Sequence, residues 1–505
     1  MPSHLRRTTC ARTTRDSILA AYPNAAGDEI LWRGLVYLLF CAAHDRETGR
    51  RLAGLDILEW IAGRPIYHST TRNDVPRRGE DVLIYLRERL LPDLRWSGWV
   101  AGERCRLILA DGIDPTLRQL VRADLATPIR EIKDRVRVID GTRYDRRAMK
   151  REREELHEEA VALYDAAPSA TSRYFLERLN DLDARPINGF TKLLAGMDKA
   201  KAASLIWEVE REANESDEEY EQREEDVRNG LLRLLRAIED MPMPFYQPSS
   251  RGRTDRVFAL NQSVLMLPRA LRSILCDGAS WNELDLTSCH LAIASAIWGV
   301  ESLRGFLADD GEAWPSLMRA IGLTDIEAGT EQYDELKDIL KRGTYSSVYG
   351  MIEPAIKAQV TRALAEAGAA ANGSDFASAW LIRDLLDARQ ERLDAITLND
   401  GAETVTGFRA EISTPDDVDE RSVLATIAQG YEAAIMRVTL EYEEQHLAEA
   451  AARGEQPDFR VMLWQHDGCS VRWRRKRATH LAEMQRRVAE AAAVYGIPTR
   501  LEAKA

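Results

Sequence analysis

Residues Glu283 to Gly299, ELDLTSCHLAIASAIWG, combine a short strand pattern with an apolar helix pattern. The strand delivers Asp285, and Thr287 or Ser288 is suited to cap the helix that follows. A carboxylate at a strand end, beside the backbone carbonyl of Leu286, offers the hard oxygen ligands that Mg²⁺ prefers. Taken alone, the segment is more typical of a capping carboxylate, because strand–Asp–helix occurs in many folds.

Length and composition predict a large, mainly helical protein. A chain of 505 residues exceeds what one hydrophobic core usually serves, which predicts about two to four subdomains. Helix formers dominate and strand patterns are few, so we expect an α+β fold that is predominantly helical. The net charge of −13 argues against nonspecific coating of nucleic acid but permits a local basic surface.

The cysteines and the N-terminal segment bear on the compartment. The six cysteines form no CxxC pair, which predicts reduced thiols in a cytoplasm and no zinc site. The longest apolar run, Gly34 to Ala43, is too short to span a bilayer. The opening MPSHLRRTTCARTTR is basic and hydroxyl-rich, as organelle transit peptides are, but a frayed basic tail is the preferred interpretation.

A second segment, DELKDILKRGTYSSVYGM, places two lysines and two tyrosines at intervals of four residues. Lys337, Lys341, Tyr345 and Tyr349 would form one stripe on a helix. This stripe suits a triphosphate held by the lysines and aromatic faces against sugar and base. Gly350 ends the stripe and leaves room for a base or backbone. The alternative is a solvated face with extended lysines.

A third segment, FRVMLWQHDGCSVRWRRKR, predicts a β-hairpin. An apolar run leads into Asp467-Gly468, a strong signal for a tight turn, and CSVRW returns as the second strand. His466 and Asp467 would place an imidazole and a carboxylate at the hairpin tip. The run Arg472 to Arg477 predicts a phosphate-binding surface. A plain turn followed by a solubilising basic stretch is the alternative.

Together, the three segments resemble motifs A, B and C of family A DNA polymerases, the group of bacterial DNA polymerase I. In the family's R-x3-K-x7-Y-G pattern, Lys337 stands for the Arg, Lys341 for the Lys and Tyr349-Gly350 for the Tyr-Gly. The family's DYSQIELRIA compares with DLTSCHLAIA here, and its HDE with HDG.

A fourth segment, RSVLATIAQGYEAAIM, resembles the family helix that carries R-x3-N-x3-Q-G along the primer–template minor groove. Arg421, Gln429 and Gly430 match that pattern, whereas Ala425 replaces the Asn. The four segments occur in the family's order.

The resemblance implies a role for each matched residue. Asp285 and Asp467, with the carbonyl of Leu286, would hold two Mg²⁺ or Mn²⁺ ions. Lys341, assisted by Lys337, would act on the triphosphate and its pyrophosphate leaving group. The implied nucleotide-binding residues are Lys337, Lys341, Tyr345, Tyr349, His290 and Leu286. The implied primer- and template-binding residues are Arg251 and Arg253 of the RGRTDR segment, Arg421, Gln429, Gly350 and His466.

The resemblance also implies the right-hand polymerase fold, with a small antiparallel palm sheet and helical fingers and thumb. The expected divisions are an N-terminal helical domain of unknown role (1–140), thumb-like helices (141–242), the first part of the palm (243–300), fingers and following helices (301–430) and the second part of the palm (431–505). The chain lacks an evident DxE-type carboxylate pair before the thumb, so we expect no proofreading exonuclease.

The leading functional hypothesis is a DNA-directed DNA polymerase that extends a primer 3′-hydroxyl. The alternative is an RNA polymerase or primase-like enzyme, because His290 and Gly468 stand where the family has Glu and T7-type RNA polymerases have Gly and Ser. Tyr345 and Gln429 favour deoxynucleotides. An inactive, polymerase-shaped binding protein is a third hypothesis, against which the retained Asp285, Asp467 and Lys341 argue. Expected partners are primed DNA, nucleoside triphosphates and a replication partner for residues 1–140, in a bacterial or phage-infected cytoplasm without membrane attachment.

Overall fold

The computed structural model describes residues 8–40, 51–62, 78–99, 105–110, 113–127, 129–182, 194, 216–239, 241–249, 253–268, 271–272, 281–308, 313–324, 326–327, 329–413 and 418–503. These residues are mainly helical with small antiparallel sheets, as the predicted α+β class requires. None of the helices within these ranges is long and apolar enough to cross a bilayer.

The described helices, in chain order, are α1 (Arg12–Ala21), α2 (Glu29–Phe40), α3 (Leu55–Ala62), α4 (Arg78–Arg89), α5 (Pro115–Ala126), α6 (Arg146–Ala162), α7 (Ala170–Leu179), α8 (Asp217–Glu239), α9 (Cys289–Ile297), α10 (Glu301–Ala308), α11 (Ala313–Ala320), α12 (Glu331–Val348), α13 (Glu353–Glu366), α14 (Gly373–Ser378), α15 (Trp380–Leu398), α16 (Glu420–Ala452) and α17 (Arg477–Val494). The strands are β1 (Thr9–Ala11), β2 (Arg51–Gly54), β3 (Leu94–Trp99), β4 (Cys105–Ala110), β5 (Arg135–Arg137), β6 (Tyr246–Pro248), β7 (Val257–Ala259), β8 (Trp281–Leu286), β9 (Gly401–Glu403), β10 (Arg409–Glu411), β11 (Phe459–Trp464), β12 (Gly468–Trp473) and β13 (Leu501–Ala503).

The chain forms two compact units. Unit 1 comprises Met1–Ala160, Pro186–Phe245 and Ala259–Asp277, and unit 2 comprises Val161–Arg185, Tyr246–Phe258 and Gly278–Ala505. Both units are assembled from separate stretches of the chain. The five divisions expected from the sequence stay a prediction.

Unit 1 contains strands as well as the predicted helices. Strand β1 pairs with β5, and β2, β4 and β3 form an antiparallel sheet in that spatial order. Helix α8 packs on α5, where the buried Arg236 guanidinium lies 3.4 Å from the Asp124 carboxylate. The sequence predicts helices alone for residues 1–140, because strands of three to six residues are too short to give a clear alternating pattern.

A four-stranded antiparallel sheet organises unit 2, with the strand order β11-β12-β8-β13. The adjacent strands β11 and β12 form the predicted hairpin, and β8, far earlier in the chain, pairs with β12. Helix α16 packs on β11 and helix α17 on β13. The nearly continuous burial of β11 explains why its apolar run lacks a two-residue alternation.

The helices that follow α9 in unit 2 share an apolar core. Helix α12 contributes Leu336 and Leu340, which are fully buried. Its Gly343 faces α13 and α14 so closely that an added Cβ would lie 2.8 Å from Phe376 and Val360. These contacts fix the position of the helix that carries the predicted lysine–tyrosine stripe.

Buried Arg389 of α15 secures the C-terminal end of α12. Its Nη1 donates to the carbonyls of Ser347 and Met351 over 2.7 and 2.8 Å. Ser347 lies in the last turn of α12, where a carbonyl has no partner within the helix, so Arg389 supplies one to a buried group. The end of α12 that approaches the candidate site is therefore held by side-chain hydrogen bonds.

Candidate active site

The pairing of β8 with β12 brings Asp285 and Asp467 together. Asp285 lies opposite Gly468 in the antiparallel register. The N–H of Leu286 donates to the carbonyl of Asp467 over 2.8 Å. Adjacent strands lie about 4.8 Å apart, so the two half-buried aspartates stand side by side at the ends of their strands. The pair predicted from separate segments thus occupies one place in the fold.

The hairpin exists as predicted, but Asp467-Gly468 does not form its turn. His466 adopts the left-handed conformation with φ 69°, and Gly468 is the first residue of β12. A Cβ on Gly468 would lie 2.5 Å from the carbonyl oxygen of Leu284 and 2.8 Å from Oδ1 of Asp285. Glycine is required here by the close approach of β8. The sequence attributes Gly468 to the turn, whereas the structure shows that Gly468 is needed because β8 passes close to it.

Asp467 lies in a desolvated and strongly charged environment. Burial raises the pKa of Asp467, and the negative charge of Glu432 raises it further, whereas Arg256 and His290 act in the opposite direction. A carboxylate in such a site gains more from a nearby cation than one in water does. The environment of Asp467 therefore favours cation binding.

Glu432, Arg256 and His290 form a buried cluster beside Asp467. Glu432 of α16 is 1% exposed and accepts from Nε and Nη2 of Arg256 over 3.1 and 2.6 Å. Its Oε2 is also 3.0 Å from Nε2 of His290. Burial opposes ionisation of Glu432, but the hydrogen bond from His290 and the charge of Arg256 outweigh it and lower the pKa of the carboxyl group. Glu432 is therefore an ionised carboxylate that neutralises Arg256.

Neither Glu432 nor Arg256 was singled out from the sequence. Arg256 lies in the RGRTDR segment, from which Arg251 and Arg253 were chosen. Glu432 carries a detectable signal, because it falls four residues after Ala428 and four before Met436 on a buried face of α16. An acidic residue within an apolar helical stripe indicates a buried partner.

Both tyrosines of the predicted stripe lie at this site. Tyr349 is 51% exposed, and its ring centroid is 5.0 Å from that of His290 in an edge-on arrangement. Tyr345 lies next to it, with ring centroids 6.0 Å apart. Burial raises the pKa of Tyr349 to about 12, and the neighbouring Tyr345 contributes. Tyr349 is therefore a neutral hydroxyl donor at physiological pH.

The lysines of the stripe lie on the same helix, about one and two turns before Tyr345. Lys341 is exposed and precedes Tyr345 by one turn, a rise of about 6 Å along α12. Lys337 is half-buried, with Nζ 5.9 Å from the ring centroid of Tyr333. The structure therefore places Lys337, Lys341 and Tyr345 on one helix with Tyr349 at its C-cap, and the charge of Asp467 acts on both tyrosines.

The segment predicted to contact primer and template runs along α16. Thr254 donates to Gln429, and Oγ1 of Thr426 donates to the carbonyl of Arg253 over 3.1 Å. Arg421 lies against Gly350, where an added Cβ would approach its side chain to 3.0 Å. Arg421 and Gln429 therefore lie on α16, and Arg253 and Gly350 contact this helix. Arg251 lies outside the described residues.

His466, also predicted to contact primer or template, packs its ring on Phe258. The ring centroids are 5.2 Å apart, and Phe258 is 40% exposed. Burial lowers the pKa of His466 to about 4, and the charge of Arg256 lowers it further. His466 is therefore neutral at physiological pH and offers an uncharged ring at the hairpin tip.

The donor set at the strand ends fits a pair of divalent ions. Two carboxylates and the backbone oxygen of Leu286 are hard ligands of the type that Mg²⁺ and Mn²⁺ prefer. The cation that acts on Asp467, Arg256, is already paired with Glu432. The charge of Arg256 is therefore shared between Asp467 and the Glu432 carboxylate with which it pairs.

A second cluster in unit 2, formed by His446, Asp458 and His480, also has spacing that suits a metal ion. Its ligand atoms are already engaged by the protein. Nε2 of His446 accepts from the N–H of Asp458 over 2.9 Å, and Nδ1 of His480 is 2.7 Å from the hydroxyl of Tyr442. The Asp458 carboxylate pairs with Arg475 at 2.9 Å. These contacts favour a structural network that joins α16, β11 and α17.

No family model matches the chain, and no curated protein matches it. Among solved structures, the chain is similar to the POL domain of Pol1 from M. smegmatis, in complex with DNA primer-template and dNTP. The similarity covers 70% of this chain and 65% of that chain, with 16% sequence identity and a TM-score of 0.43. The match thus spans less than two thirds of the mycobacterial chain.

Proposed function

We propose that the chain catalyses template-directed nucleotidyl transfer, and that it is a DNA-directed DNA polymerase of diverged family A type. One observation carries the proposal. Strand pairing sets Asp285 beside Asp467, although the two residues lie in segments far apart in sequence that were matched to different polymerase motifs. A capping carboxylate and a plain turn would have no reason to meet in this way.

The carboxylates supply the charge that phosphoryl transfer needs. Two divalent ions bound by Asp285 and Asp467 would activate a primer 3′-hydroxyl and neutralise the charge that develops on the pyrophosphate leaving group. Asp467 stays ionised when such cations offset its burial and the charge of Glu432. In this proposal, the role of the sheet is to hold both carboxylates at fixed separation.

Helix α12 supplies the contacts to the nucleotide. Lys341, exposed on α12, would pair with the triphosphate and assist departure of pyrophosphate, with Lys337 behind it. Lys337 carries the charge of an arginine without its two-pronged geometry, so its grip on phosphate is weaker. Tyr345 and Tyr349 would pack on sugar and base, and His290 would exclude a 2′-hydroxyl by its bulk.

The surface along α16 would hold the duplex. Gln429 and Arg421, with Arg253 alongside, would contact the primer–template minor groove and its phosphates. His466 and Gly350 would lie near the primer terminus and the templating base. We also propose that the palm, fingers and thumb follow the expected divisions and that the chain has no proofreading exonuclease.

A primer-extension assay tests the proposed function. Purified protein is given a primed DNA template, Mg²⁺ and either dNTPs or rNTPs, and the same template without primer. The proposal predicts primer-dependent extension with preference for dNTPs. Preferential use of rNTPs, or initiation without a primer, would establish the RNA polymerase or primase alternative. Absence of incorporation under all these conditions would contradict both.

A further inference from the structure

We propose that Glu432 is a positioning residue for sugar selection, which holds His290 against Tyr349 by means of a buried ion pair with Arg256. This inference rests on the proposed polymerase function. It concerns a residue within the fourth segment, RSVLATIAQGYEAAIM, that is not one of the positions matched to the family pattern.

The hydrogen-bond pattern fixes the His290 ring. Nε2 of His290 lies 3.0 Å from Oε2 of Glu432 and 3.2 Å from Nη2 of Arg256. An ionised carboxylate only accepts hydrogen bonds and a guanidinium only donates them. Nε2 must therefore carry the proton and donate to Glu432, because a bare nitrogen there would face the carboxylate lone pairs. The tautomer and the ring plane are both set by Glu432.

Arg256 holds the carboxylate in turn. Its Nε and Nη2 form a two-pronged contact with both oxygens of Glu432. Such a fork restricts rotation of the carboxylate more strongly than a single contact would. The side chain of Glu432 is 1% exposed, and that of Arg256 is 24% exposed. Glu432 is therefore clamped between one rigid cation and one imidazole.

The cluster lies where the sugar of a bound nucleotide would be read. His290 is in the first turn of α9, directly after the strand that ends near Asp285. Its ring meets the edge of Tyr349 with centroids 5.0 Å apart. With phosphates at the aspartates and a base on the tyrosines, the ribose would lie between them. A His290 ring free to rotate would open space for a 2′-hydroxyl.

Stability alone explains the cluster poorly. Burying the Glu432 carboxylate and part of the Arg256 side chain carries a desolvation cost, and apolar replacements of such pairs are often neutral or stabilising. An ion pair buried at a candidate site is therefore better explained by the geometry that it imposes on its neighbours.

The test is a double-mutant cycle on sugar discrimination. Glu432→Gln keeps the shape and one acceptor but loses the charge that clamps Arg256. The ratio of kcat/KM for a dNTP to that for the matching rNTP is measured for wild type, Glu432→Gln, His290→Ala and the double variant. We expect each single variant to lower this ratio by about tenfold or more, and the double variant to match His290→Ala.

Glu443→Gln is the matched control. Glu443 is a buried carboxylate on the same helix, about three turns away, and it accepts from the N–H of Val461 over 2.8 Å with Arg178 nearby at 3.9 Å. Its substitution should lower the thermal midpoint without changing the selectivity ratio. If Glu432→Gln does not fold, Arg256→Lys replaces it, because lysine keeps the charge and loses the fork. We expect Arg256→Lys to lower the ratio as well.

The outcomes separate the inference from the proposed function. A wild-type protein that incorporates no nucleotide would overturn the proposed function, and the inference with it. A wild-type protein that discriminates between sugars, with Glu432→Gln or its substitute discriminating equally well, would overturn the inference alone. The same holds if the effect of Glu432→Gln persists undiminished in the His290→Ala background, because Glu432 would then not act through His290.

Discussion

Gly468 is the residue at which the closeness of β8 and β12 is most easily tested. An added Cβ would lie 2.5 Å from the Leu284 carbonyl oxygen and 2.8 Å from Oδ1 of Asp285. Gly468→Ala should therefore lower the free energy of unfolding by about 1–3 kcal/mol and impair incorporation, because the strands must separate. Gly468→Glu, which creates the HDE sequence of the polymerases that the motifs resemble, should be more damaging still, because its side chain is larger. Urea unfolding and primer extension measure the two effects.

Gly305 provides the control for this prediction. It lies within α10, and an added Cβ would meet no atom within 4 Å. Gly305→Ala should be neutral or stabilising by up to about 1 kcal/mol, since alanine favours helix. If Gly468→Ala is equally harmless, the two strands are not as close as the structure has them.

Asp255 predicts a pH dependence of stability. It is fully buried and accepts from Ser169 and Thr406, yet burial prevails and raises its pKa. A carboxyl group whose folded pKa is raised stabilises the native state at low pH and loses that contribution as the pH rises. Wild type should therefore lose stability relative to Asp255→Asn as the pH rises from about 4, the ordinary pKa of an aspartate, upward. Urea unfolding of both proteins across this range measures the difference.

Asp419 should show the opposite sign. Burial opposes ionisation of this carboxyl group, but hydrogen bonds from Ser422 at the start of α16 lower its pKa below the ordinary value. Wild type should therefore gain stability over Asp419→Asn as the pH rises above the folded pKa. For Asp255, the opposite outcome is a stability difference between wild type and Asp255→Asn that does not change with pH. That result would contradict a raised pKa for the buried Asp255 carboxyl group.

At the scale of single elements, Lys341 on helix α12 allows a role in nucleotide binding to be tested independently of a role in stability. Lys341 is exposed and makes no ion pair among the described residues. Lys341→Ala should leave the free energy of unfolding within about 0.5 kcal/mol of wild type. It should nevertheless lower kcat/KM for nucleotides by about 10- to 100-fold, because charge-assisted contacts to phosphate are lost. Steady-state kinetics and urea unfolding measure the two effects.

The control for α12 is Lys357→Ala on α13. Lys357 is half-buried and pairs with Glu353 one turn earlier, at 2.5 Å. Its loss should affect neither nucleotide use nor, appreciably, stability. Equal nucleotide kinetics for Lys341→Ala and wild type would mean that the α12 lysines form only a solvated face.

The sequence predicts those helices, strands and turns whose residue pattern is contained within a short segment of the chain. The β8–α9 junction, the β11–β12 hairpin and helix α12 each carry a strand, turn or helical pattern within about 20 residues. The partner of Glu432 could not be predicted, because Arg256 lies in a distant segment and the pairing depends on tertiary packing. The need for glycine at Gly468 likewise depends on β8, which no local pattern specifies.

At the scale of the whole molecule, the net charge is negative but positively charged side chains are concentrated near the end of β12. The net charge is −13, whereas Arg472 and Arg474 alternate with buried neighbours and are exposed near the end of β12. If these arginines contact DNA phosphates, Arg472→Gln combined with Arg474→Gln should reduce the slope of log affinity against log salt by about 1–2. Fluorescence anisotropy with primed DNA at several salt concentrations measures this slope.

Arg475 distinguishes DNA contact from structure in the same basic run. Its Nε lies 2.9 Å from the Asp458 carboxylate, so its charge is already paired. Arg475→Gln should change the salt slope less than the double substitution does. If the double substitution leaves the slope of log affinity against log salt unchanged, Arg472 and Arg474 do not contact DNA phosphates and the basic run serves only solubility.

We propose that Asp285 and Asp467 are the metal-binding carboxylates of a nucleotidyl transferase. The most direct measurement is the rate of dNTP incorporation on a primed template with Mg²⁺, compared between wild type and Asp467→Asn. Asp458→Asn serves as the control, since it removes a buried carboxylate from the base of the same hairpin. We predict a loss of at least about a thousandfold for Asp467→Asn and near-wild-type rates for folded Asp458→Asn. Incorporation by Asp467→Asn at the wild-type rate would contradict the account.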